Sequence, residues 1–360
     1  MTARIRVLVV DDSAYSRKAI SRILSSSPLV EVVGAARDGE DALRKLFDLE
    51  PDLATIDLEM PRMDGYTFLR LCMRNRPTPV IAISSRSGDE DVFKALDLGA
   101  VDFISKPTPT GGRSDLESIE RELIRKVHCV RTLRMDRVSE RIATQPPLLG
   151  RAASGQRPRV VVIGSSTGGP AALMQIFGAF AEPPPCAFVI AQHMPVGFTA
   201  GFADRLDRLT PLRAREASGG EMLQPGEILV SPGGRHLCLE IADGDPLVRL
   251  EGQGSKDRYA PSVDRLFSSA AKAYGEELLA IVLTGMGDDG AQGVRDVKES
   301  GGQVVAESEE SAVVFGMPQQ AIRSGAVDRI LPLGRIAESI QYGIKSVPKQ
   351  GGQKRTEDFA

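Results

Sequence analysis

The sequence contains a serine whose surroundings suit nucleophilic chemistry. Residues 161–170, VVIGSSTGGP, run from β-branched residues into glycines and hydroxyls and fit G-x-S-x-G around Ser166. This pattern is typical of a strand-to-helix turn that exposes a serine, with Pro170 suited to the first helical turn. Backbone N–H groups at such a helix start can hold an oxyanion. An ordinary glycine-rich turn is the alternative, whereas a P-loop is excluded because no lysine follows the glycines.

A serine nucleophile needs a base, and histidine is the usual one. His193 ends the apolar run FVIAQ, which predicts that it lies at a strand end, on the same edge as Ser166. His236, in PGGRHL, is the alternative base. The only other histidine in the sequence is His128.

The third member of such a group is an acid that orients the imidazole. The apolar run IVL leads into the glycine-rich turn TGMGDDG, which offers Asp288 and Asp289. Either aspartate is also a common turn residue. The chain order Ser, His, Asp differs from the Ser, Asp, His order of α/β-hydrolases, so we expect triad chemistry on a different fold.

A second polar group ends the strands predicted in the first third of the chain. Asp11 and Asp12 follow the first strand, Asp57 the third and Lys106 the fifth. The carboxyl ends of parallel strands meet at one edge, so the sequence predicts that these groups converge rather than serve only as caps and turns. Three adjacent carboxylates require a cation, and oxygen ligands favour Mg²⁺. A carboxylate beside Mg²⁺ and a lysine can attack a phosphoryl donor, with Ser84 placed to hydrogen-bond the phosphate.

Alternating apolar runs and helical patterns position these residues. Five β-then-α units across residues 5–105 predict a five-stranded, doubly wound parallel sheet. The predicted strands are Ile5–Val10, Val30–Ala35, Leu53–Ile56, Val80–Ser84 and Asp102–Ser105. The predicted helices include Ala14–Leu24, Asp41–Leu49 and Asp91–Leu98.

The remaining sequence divides into a helix, a linker and a second α/β region. The charged, amphipathic residues 115–138 predict a helix, and residues 139–157, rich in Pro, Gly, Ser and Arg, predict a linker. A second parallel α/β pattern follows. We therefore expect a domain over 1–125, a helix end and linker over 126–157, a catalytic domain over 158–346 and a disordered tail over 347–360.

Bulk properties limit the partners and the location. The formal net charge is −3, which does not favour nucleic-acid binding. No apolar run reaches 18 residues and the N-terminus has no signal-like segment, so we expect a cytoplasmic protein without membrane insertion. The four cysteines have no metal or redox spacing and are expected to be reduced.

The segments VLVVDDS, TIDLEMPRMDG, ISS and FISKP resemble the receiver domain of two-component response regulators, a flavodoxin-like fold. The resemblance implies phosphorylation of Asp57 by a histidine kinase. It also implies a switch made by Lys106, Ser84 and Phe103. The implied Mg²⁺ ligands are Asp11, Asp12, Asp57 and the carbonyl of Glu59.

The segments IGSSTGGP, QHMPVGFT, SPGGRHL, APSVDRLF, LTGMGDDGA and VFGMPQQAI resemble the CheB family of chemotaxis protein-glutamate methylesterases. The resemblance implies Ser166 as nucleophile, His193 as base and Asp289 as acid, with no cofactor for the esterase reaction. Met286 and Thr167 would supply the oxyanion site. Ala260 departs from the family, which usually has a basic residue before PSVD, and this affects only the expected substrate contacts.

The implied function is hydrolysis of glutamate γ-methyl esters on methyl-accepting chemoreceptors, with deamidation of receptor glutamines as a second activity. The alternatives are a response regulator with a non-catalytic binding output, such as DNA binding, and the same esterase in a non-chemotaxis pathway. No basic face or helix-turn-helix pattern supports the binding output. We further expect the unphosphorylated receiver to cover the esterase cleft and phosphorylation to weaken that contact.

Overall fold

The computed structural model describes residues 3–84, 89–106, 119–135, 158–242, 244–255 and 257–343. The N-terminal half, residues 3–135, contains one parallel sheet of five strands in the order β2-β1-β3-β4-β5. Its strands are β1 Ile5–Val10, β2 Val30–Ala36, β3 Leu53–Ile56, β4 Val80–Ser84 and β5 Asp102–Ser105. Its helices are α1 Ala14–Ser25, α2 Gly39–Leu49, α3 Gly65–Asn75, α4 Asp89–Asp97 and α5 Glu120–His128.

The doubly wound sheet predicted for this half is confirmed, and the predicted helices differ from the structure only at their ends. Helix α2 begins at Gly39 instead of Asp41, because the Asp38 side chain caps it by accepting from the Asp41 N–H at 2.8 Å. Strand β2 runs one residue past its predicted end.

The helix predicted over residues 115–138 is described in part. Helix α5 and a 3₁₀ turn, Cys129–Thr132, cover its middle. Val127 of α5 is fully buried against the core of the first sheet. The linker predicted over 139–157 and the tail predicted over 347–360 lie outside the described residues.

The C-terminal half, residues 158–343, contains a parallel sheet of seven strands in the order β14-β13-β12-β6-β7-β9-β8. Its strands are β6 Val160–Ser165, β7 Ala187–Gln192, β8 Arg213–Glu216, β9 Glu227–Val230, β12 Leu278–Val282, β13 Gln303–Glu307 and β14 Arg329–Leu331. Its helices are α6 Gly169–Gly178, α7 Thr199–Leu209, α8 Val263–Tyr274, α9 Gly293–Glu299, α10 Met317–Arg323 and α11 Leu333–Tyr342. No described helix in either half is long and apolar enough to cross a membrane.

One element of this half was not predicted from the sequence. Strands β10 Arg235–Ala242 and β11 Asp245–Gly252 form a two-stranded antiparallel ribbon. The predicted parallel sheet of this half is confirmed, and the ribbon is a separate sheet in addition to it. His236 lies within this ribbon, whereas Ser166 and His193 directly follow strands of the parallel sheet.

Aromatic residues join the two halves. The ring of Phe103, in β5, lies 4.8 Å from that of Phe198, and the ring of Phe93, in α4, lies 5.7 Å from that of Phe202. All four rings are buried. Leu133 also forms an antiparallel bridge with Val314. The halves therefore share apolar core at this junction.

Candidate active site and phosphoacceptor pocket

Ser166 lies between the end of β6 and the start of α6, as the strand-to-helix pattern predicts. The turn requires glycines. Gly168 has a φ of 78°, and a Cβ on Gly169 would lie 2.1 Å from the side-chain oxygen of Gln192. That oxygen accepts from the Ser165 hydroxyl at 2.6 Å, while the Gln192 amide donates to the Ser166 carbonyl at 3.0 Å. The serine turn is thus tied to the neighbouring strand β7.

His193 directly follows β7, and its backbone N–H donates to the Ser165 carbonyl at 2.9 Å. Its Nε2 lies 2.8 Å from Oδ2 of Asp289. Its Nδ1 is buried and has no hydrogen-bond partner among the described residues. Ser166 and His193 line one cavity of about 450 Å³. Since Nε2 contacts the aspartate, Nδ1 is the nitrogen left to take a proton from a serine in this cavity.

The two candidate acids have different surroundings in the structure. Asp289 is 5% exposed and accepts from the backbone N–H groups of Val263 and Asp264, at 2.8 and 2.9 Å, and from the Ser262 hydroxyl at 3.1 Å. Burial opposes its ionisation, but His193 and these N–H groups lower the pKa of Asp289 below its usual value. Asp288 is exposed and pairs with Arg258 at 3.2 Å.

The two candidate bases also have different surroundings in the structure. His236 is fully buried, and its Nε2 lies 2.9 Å from Oδ2 of Asp257. His236 is not among the residues that line the cavity around Ser166. It therefore fits a structural role in the ribbon better than the role of base.

Helix α5 of the N-terminal half lines one side of the cavity. The walls of the cavity include Ser166 and His193 and, from α5, Arg121, Glu122, Arg125 and Lys126. The candidate oxyanion residues also contact the N-terminal half. The Thr167 hydroxyl donates to Oδ2 of Asp102 at 2.5 Å, and the Met286 sulfur lies 2.8 Å from the Cys129 sulfur.

Asp102 was not predicted as a site residue. It precedes Phe103 in β5, and its second oxygen accepts from Lys126 at 2.8 Å. Lys126 also donates to the Phe103 carbonyl at 2.5 Å. Burial disfavours the charged lysine, but Asp102 and Glu122 outweigh it and raise the pKa of Lys126. No local pattern marks Asp102, because its partner Thr167 is 65 residues away in the other half.

The second polar group converges at the edge of the five-stranded sheet. Lys106 Nζ lies 2.7 Å from Oδ2 of Asp11 and 2.5 Å from Oδ2 of Asp57. One oxygen from each of Asp11, Asp12 and Asp57 lies within 4.8 Å of the others. Three carboxylate oxygens at this separation fit Mg²⁺, with water completing the coordination.

The charges in this pocket are only partly neutralised. Burial raises the pKa of Asp11, the nearby Asp57 adds to the rise, and Lys106 opposes it. Burial alone would lower the pKa of Lys106, but Asp57 and Asp11 raise it. Two buried carboxylates therefore share one ammonium group, an arrangement that favours an additional cation.

The other predicted residues of this pocket lie around it. The Glu59 N–H donates to Oδ1 of Asp57 at 3.2 Å. Ser84 is buried at the end of β4, and its carbonyl accepts from the Lys106 N–H at 2.7 Å. Phe103 is buried against Phe198 of the other half. The candidate switch residue therefore lies at the junction between the halves.

Two family models match the chain. The model for CheB methylesterase matches residues 161–340, and the model for the response regulator receiver domain matches residues 7–113. Together they cover both halves of the described structure.

The chain is similar over most of its length to two proteins named protein-glutamate methylesterase/protein-glutamine glutaminase. A protein-glutamate methylesterase/protein-glutamine glutaminase of Geobacter sulfurreducens is 48% identical, over 94% of this chain and 96% of the relative. One from Myxococcus xanthus is 49% identical, over 93% of this chain and 96% of the relative. Among solved structures, the CheB methylesterase catalytic domain of Thermotoga maritima is 40% identical, covers 51% of this chain and 98% of its own length, and has a TM-score of 0.49.

Proposed function

Because the chain belongs to the CheB methylesterase family and carries a response regulator receiver domain, we propose that it is a phosphorylation-activated protein-glutamate methylesterase. Its substrates would be glutamate γ-methyl esters on cytoplasmic parts of methyl-accepting chemoreceptors, and it would act in the cytoplasm. The observation that carries the proposal is the cavity that Ser166 shares with His193, whose Nε2 is held by the buried Asp289.

The proposed reaction proceeds through an acyl-enzyme. The Ser166 hydroxyl attacks the ester carbonyl carbon while His193 Nδ1 takes its proton. Backbone N–H groups near Thr167 and Met286 stabilise the tetrahedral oxyanion. His193 then returns the proton to the departing methoxide, which leaves as methanol.

Water completes the cycle. His193 takes a proton from a water molecule that attacks the acyl carbon. As the second tetrahedral intermediate collapses, the bond to the Ser166 oxygen breaks, His193 returns the proton to that oxygen, and the receptor glutamate is released. Asp289 keeps the imidazole oriented and stabilises its protonated form in both steps. A receptor glutamine would enter the same route with ammonia as the leaving group, which corresponds to the second activity in the relatives' names.

Asp57 is the proposed phosphoacceptor, with a histidine kinase or a small phosphodonor as the source. Its carboxylate attacks the phosphorus, and the phosphoryl group passes to the carboxylate oxygen as the donor leaves. Lys106 lies beside the attacking oxygens and would neutralise part of the transferred charge. Asp11, Asp12, Asp57 and the Glu59 carbonyl would hold Mg²⁺, which supplies further charge neutralisation.

Three contacts support control of the esterase by cleft covering. Helix α5 lines one wall of the cavity, Asp102 accepts from Thr167 beside the nucleophile, and Phe103 packs on Phe198. A phosphate on Asp57 would draw Ser84 inward and let Phe103 follow, which would disturb the last of these contacts. About 1.4 kcal/mol of differential stability changes the open population tenfold while the closed form dominates, so modest repacking is sufficient.

Methanol release from methylated receptor membranes tests the activity. Ser166→Ala and His193→Ala should each reduce it on the order of 10³-fold or more, because the members of a triad act as a unit. Release that persists in His193→Ala but disappears in His236→Ala would show that the wrong histidine has been assigned. The alternative pathway is tested by identifying the receptor that co-purifies with Ser166→Ala.

A fragment that starts near Arg157 tests cleft covering. We expect it to hydrolyse the ester faster than the unphosphorylated full-length protein, which should approach the fragment's rate once Asp57 is phosphorylated. If the folded fragment is no faster, the receiver must activate the esterase by positive contacts instead.

A further inference from the structure

Tyr259 stacks on the imidazole of His193. The two ring centroids are 4.4 Å apart and the ring planes differ by 5°. We propose that Tyr259 is a positioning residue of the esterase, which fixes the plane of the His193 ring so that Nδ1 stays available to Ser166. This proposal rests on the proposed function, because it concerns the same base.

A single hydrogen bond does not fix the orientation of an imidazole. The contact between His193 Nε2 and Asp289 holds one ring atom, and the ring is still able to pivot about that contact. Any pivot moves Nδ1 relative to Ser166. A flat surface stacked parallel to the ring opposes that motion, and a misplacement of about 1 Å at a reacting atom is enough to cost about 10²-fold in rate.

The loop that carries Tyr259 is itself anchored. Oδ2 of Asp257 contacts His236 Nε2 at 2.9 Å and accepts from the Gly254 N–H at 2.7 Å. Its Oδ1 accepts from Arg265 at 2.9 Å. This explains the buried histidine of the ribbon: His236 holds the loop that presents Tyr259 to the catalytic histidine.

The ring of Tyr259 stacks on His193, and its hydroxyl lies close to Gly287, the residue after Met286. A Cβ on Gly287 would lie 2.5 Å from the Tyr259 hydroxyl oxygen. This oxygen is buried and has no hydrogen-bond partner among the described residues. The stacking therefore depends on the aromatic ring and not on the hydroxyl, which predicts that phenylalanine can replace tyrosine.

Arg125 of the receiver and Arg258 also lie near the ring, at 5.3 and 5.2 Å from its centroid. Arg125 would withdraw when the receiver opens, whereas Arg258 and the Asp257 anchor belong to the esterase. The positioning effect must therefore be measured in the active, phosphorylated protein.

The test compares Tyr259→Phe, Tyr259→Leu and Tyr259→Met in the full chain, phosphorylated at Asp57, with methylated receptor membranes as substrate. We expect Tyr259→Phe to stay within about threefold of the wild type. Tyr259→Leu and Tyr259→Met, which replace the flat ring with flexible side chains, should lose roughly 10- to 100-fold in kcat with little change in KM. Modification of Ser166 by a phosphonofluoridate, which requires no receptor, should slow in parallel.

Several results would overturn the assignment. A loss confined to KM would make Tyr259 a receptor contact, and an equal loss in Tyr259→Phe would give the hydroxyl a catalytic role. Full activity in both Tyr259→Leu and Tyr259→Met, with Ser166→Ala inactive, would rule out the positioning role of Tyr259 and leave the proposed triad intact. Activity retained in Ser166→Ala would instead overturn the proposed triad. Thermal unfolding and phosphate incorporation at Asp57 identify a misfolded variant, and the second non-aromatic variant then decides the question.

Discussion

Asp11 of the receiver and Asp289 of the esterase are both buried, with 0% and 5% of their surfaces exposed, and both lie beyond the carboxyl ends of parallel strands. Burial disfavours ionisation of both carboxyls. Burial leaves the pKa of Asp11 raised, whereas the partners of Asp289 overcome burial and lower the pKa of that carboxyl. Asp289 is surrounded by fixed donors from His193, Ser262 and two backbone N–H groups. Asp11 shares one lysine with Asp57.

The difference corresponds to the chemistry proposed for each site. A carboxylate that orients a histidine must keep the same charge and position throughout a cycle, and fixed hydrogen bonds provide this. A carboxylate that receives a metal ion needs unbalanced negative charge until the ion binds. The comparison predicts that substitutions at the two sites will have different effects. In the esterase they should reduce the rate of ester hydrolysis. In the receiver they should reduce phosphorylation while raising the stability of the fold.

The largest effect is expected when the donors around Asp289 lose their acceptor. Asp289→Asn should reduce methanol release by about 10³- to 10⁴-fold, because an amide keeps only one of the two acceptor oxygens. Whichever position the amide nitrogen takes, it faces a backbone N–H donor of Val263 or Asp264, and the neutral amide does not stabilise the imidazolium. Asp288→Asn is the matched control, since Asp288 is exposed and contacts Arg258. Equal losses in the two variants would contradict the assignment of the acid.

The next effect concerns the receiver. Asp57→Asn should reduce Mg²⁺-dependent incorporation of label from a small phosphodonor to background, because an amide oxygen is a poor nucleophile and a weaker metal ligand. Asp48→Asn, on the exposed face of α2, should label like the wild type. Incorporation at the wild-type level in Asp57→Asn would show that another residue accepts the phosphate.

A smaller effect is expected at the contact that joins the two sites. Asp102→Asn weakens the acceptor of the Thr167 hydroxyl and removes one of the charges that hold Lys126. We expect the unphosphorylated protein to hydrolyse receptor ester roughly 3- to 10-fold faster, since loss of about 1.4 kcal/mol from the closed form raises the open population tenfold.

The control for this variant is Asp97→Asn. Asp97 pairs with Arg205 across the same junction at 2.5 Å, but its side chain is 57% exposed, and exposed ion pairs contribute little. Its basal rate should stay within about twofold of the wild type. If both variants keep the wild-type basal rate while Asp57 is still phosphorylated normally, Asp102 does not hold the closed form.

Strand-end residues could be predicted from the sequence, and residues at the junction could not. A residue that directly follows an apolar run lies at a known edge of a parallel sheet, which is why Asp11, Asp57 and Lys106 were expected together. Asp102 and Arg125 contact partners in the other half, and no local periodicity records such a contact.

The same limit applies within the esterase. The strand-end pattern offered two histidines and two adjacent aspartates, and it did not choose between them. The family resemblance implied His193 and Asp289, and the described contacts support the same proposal. Tyr259 lies in an irregular loop before α8, where side-chain direction has no repeating pattern. The ribbon of β10 and β11 was also missed, because the expectation of a parallel sheet does not include an antiparallel pair.

The smallest effect tests the raised pKa of Asp11 directly. A raised pKa means that the folded receiver binds this proton more tightly than the unfolded chain, so the ionised carboxylate costs stability at neutral pH. Asp11→Asn keeps an oxygen that can accept from the Ser13 N–H and removes the charge, while Asp57 still pairs with Lys106. We therefore expect the variant to unfold a few degrees higher than the wild type at pH 7 without Mg²⁺.

The difference in unfolding temperature between Asp11→Asn and the wild type should depend on pH. Below the unfolded value of 3.8 the wild-type carboxyl is protonated in both states, so the two proteins should unfold alike. The advantage of Asp11→Asn should appear as the pH rises through the raised pKa. Added Mg²⁺ should reduce this advantage, because it stabilises the wild type, which keeps all the ligands, more than the variant. Asp12→Asn, at an exposed position, should change the unfolding temperature less. If the variant is less stable than the wild type at pH 7, Lys106 fully compensates the cost of burying the Asp11 charge. Asp11 and Asp289 would then differ only in the number of fixed hydrogen-bond donors around each carboxylate.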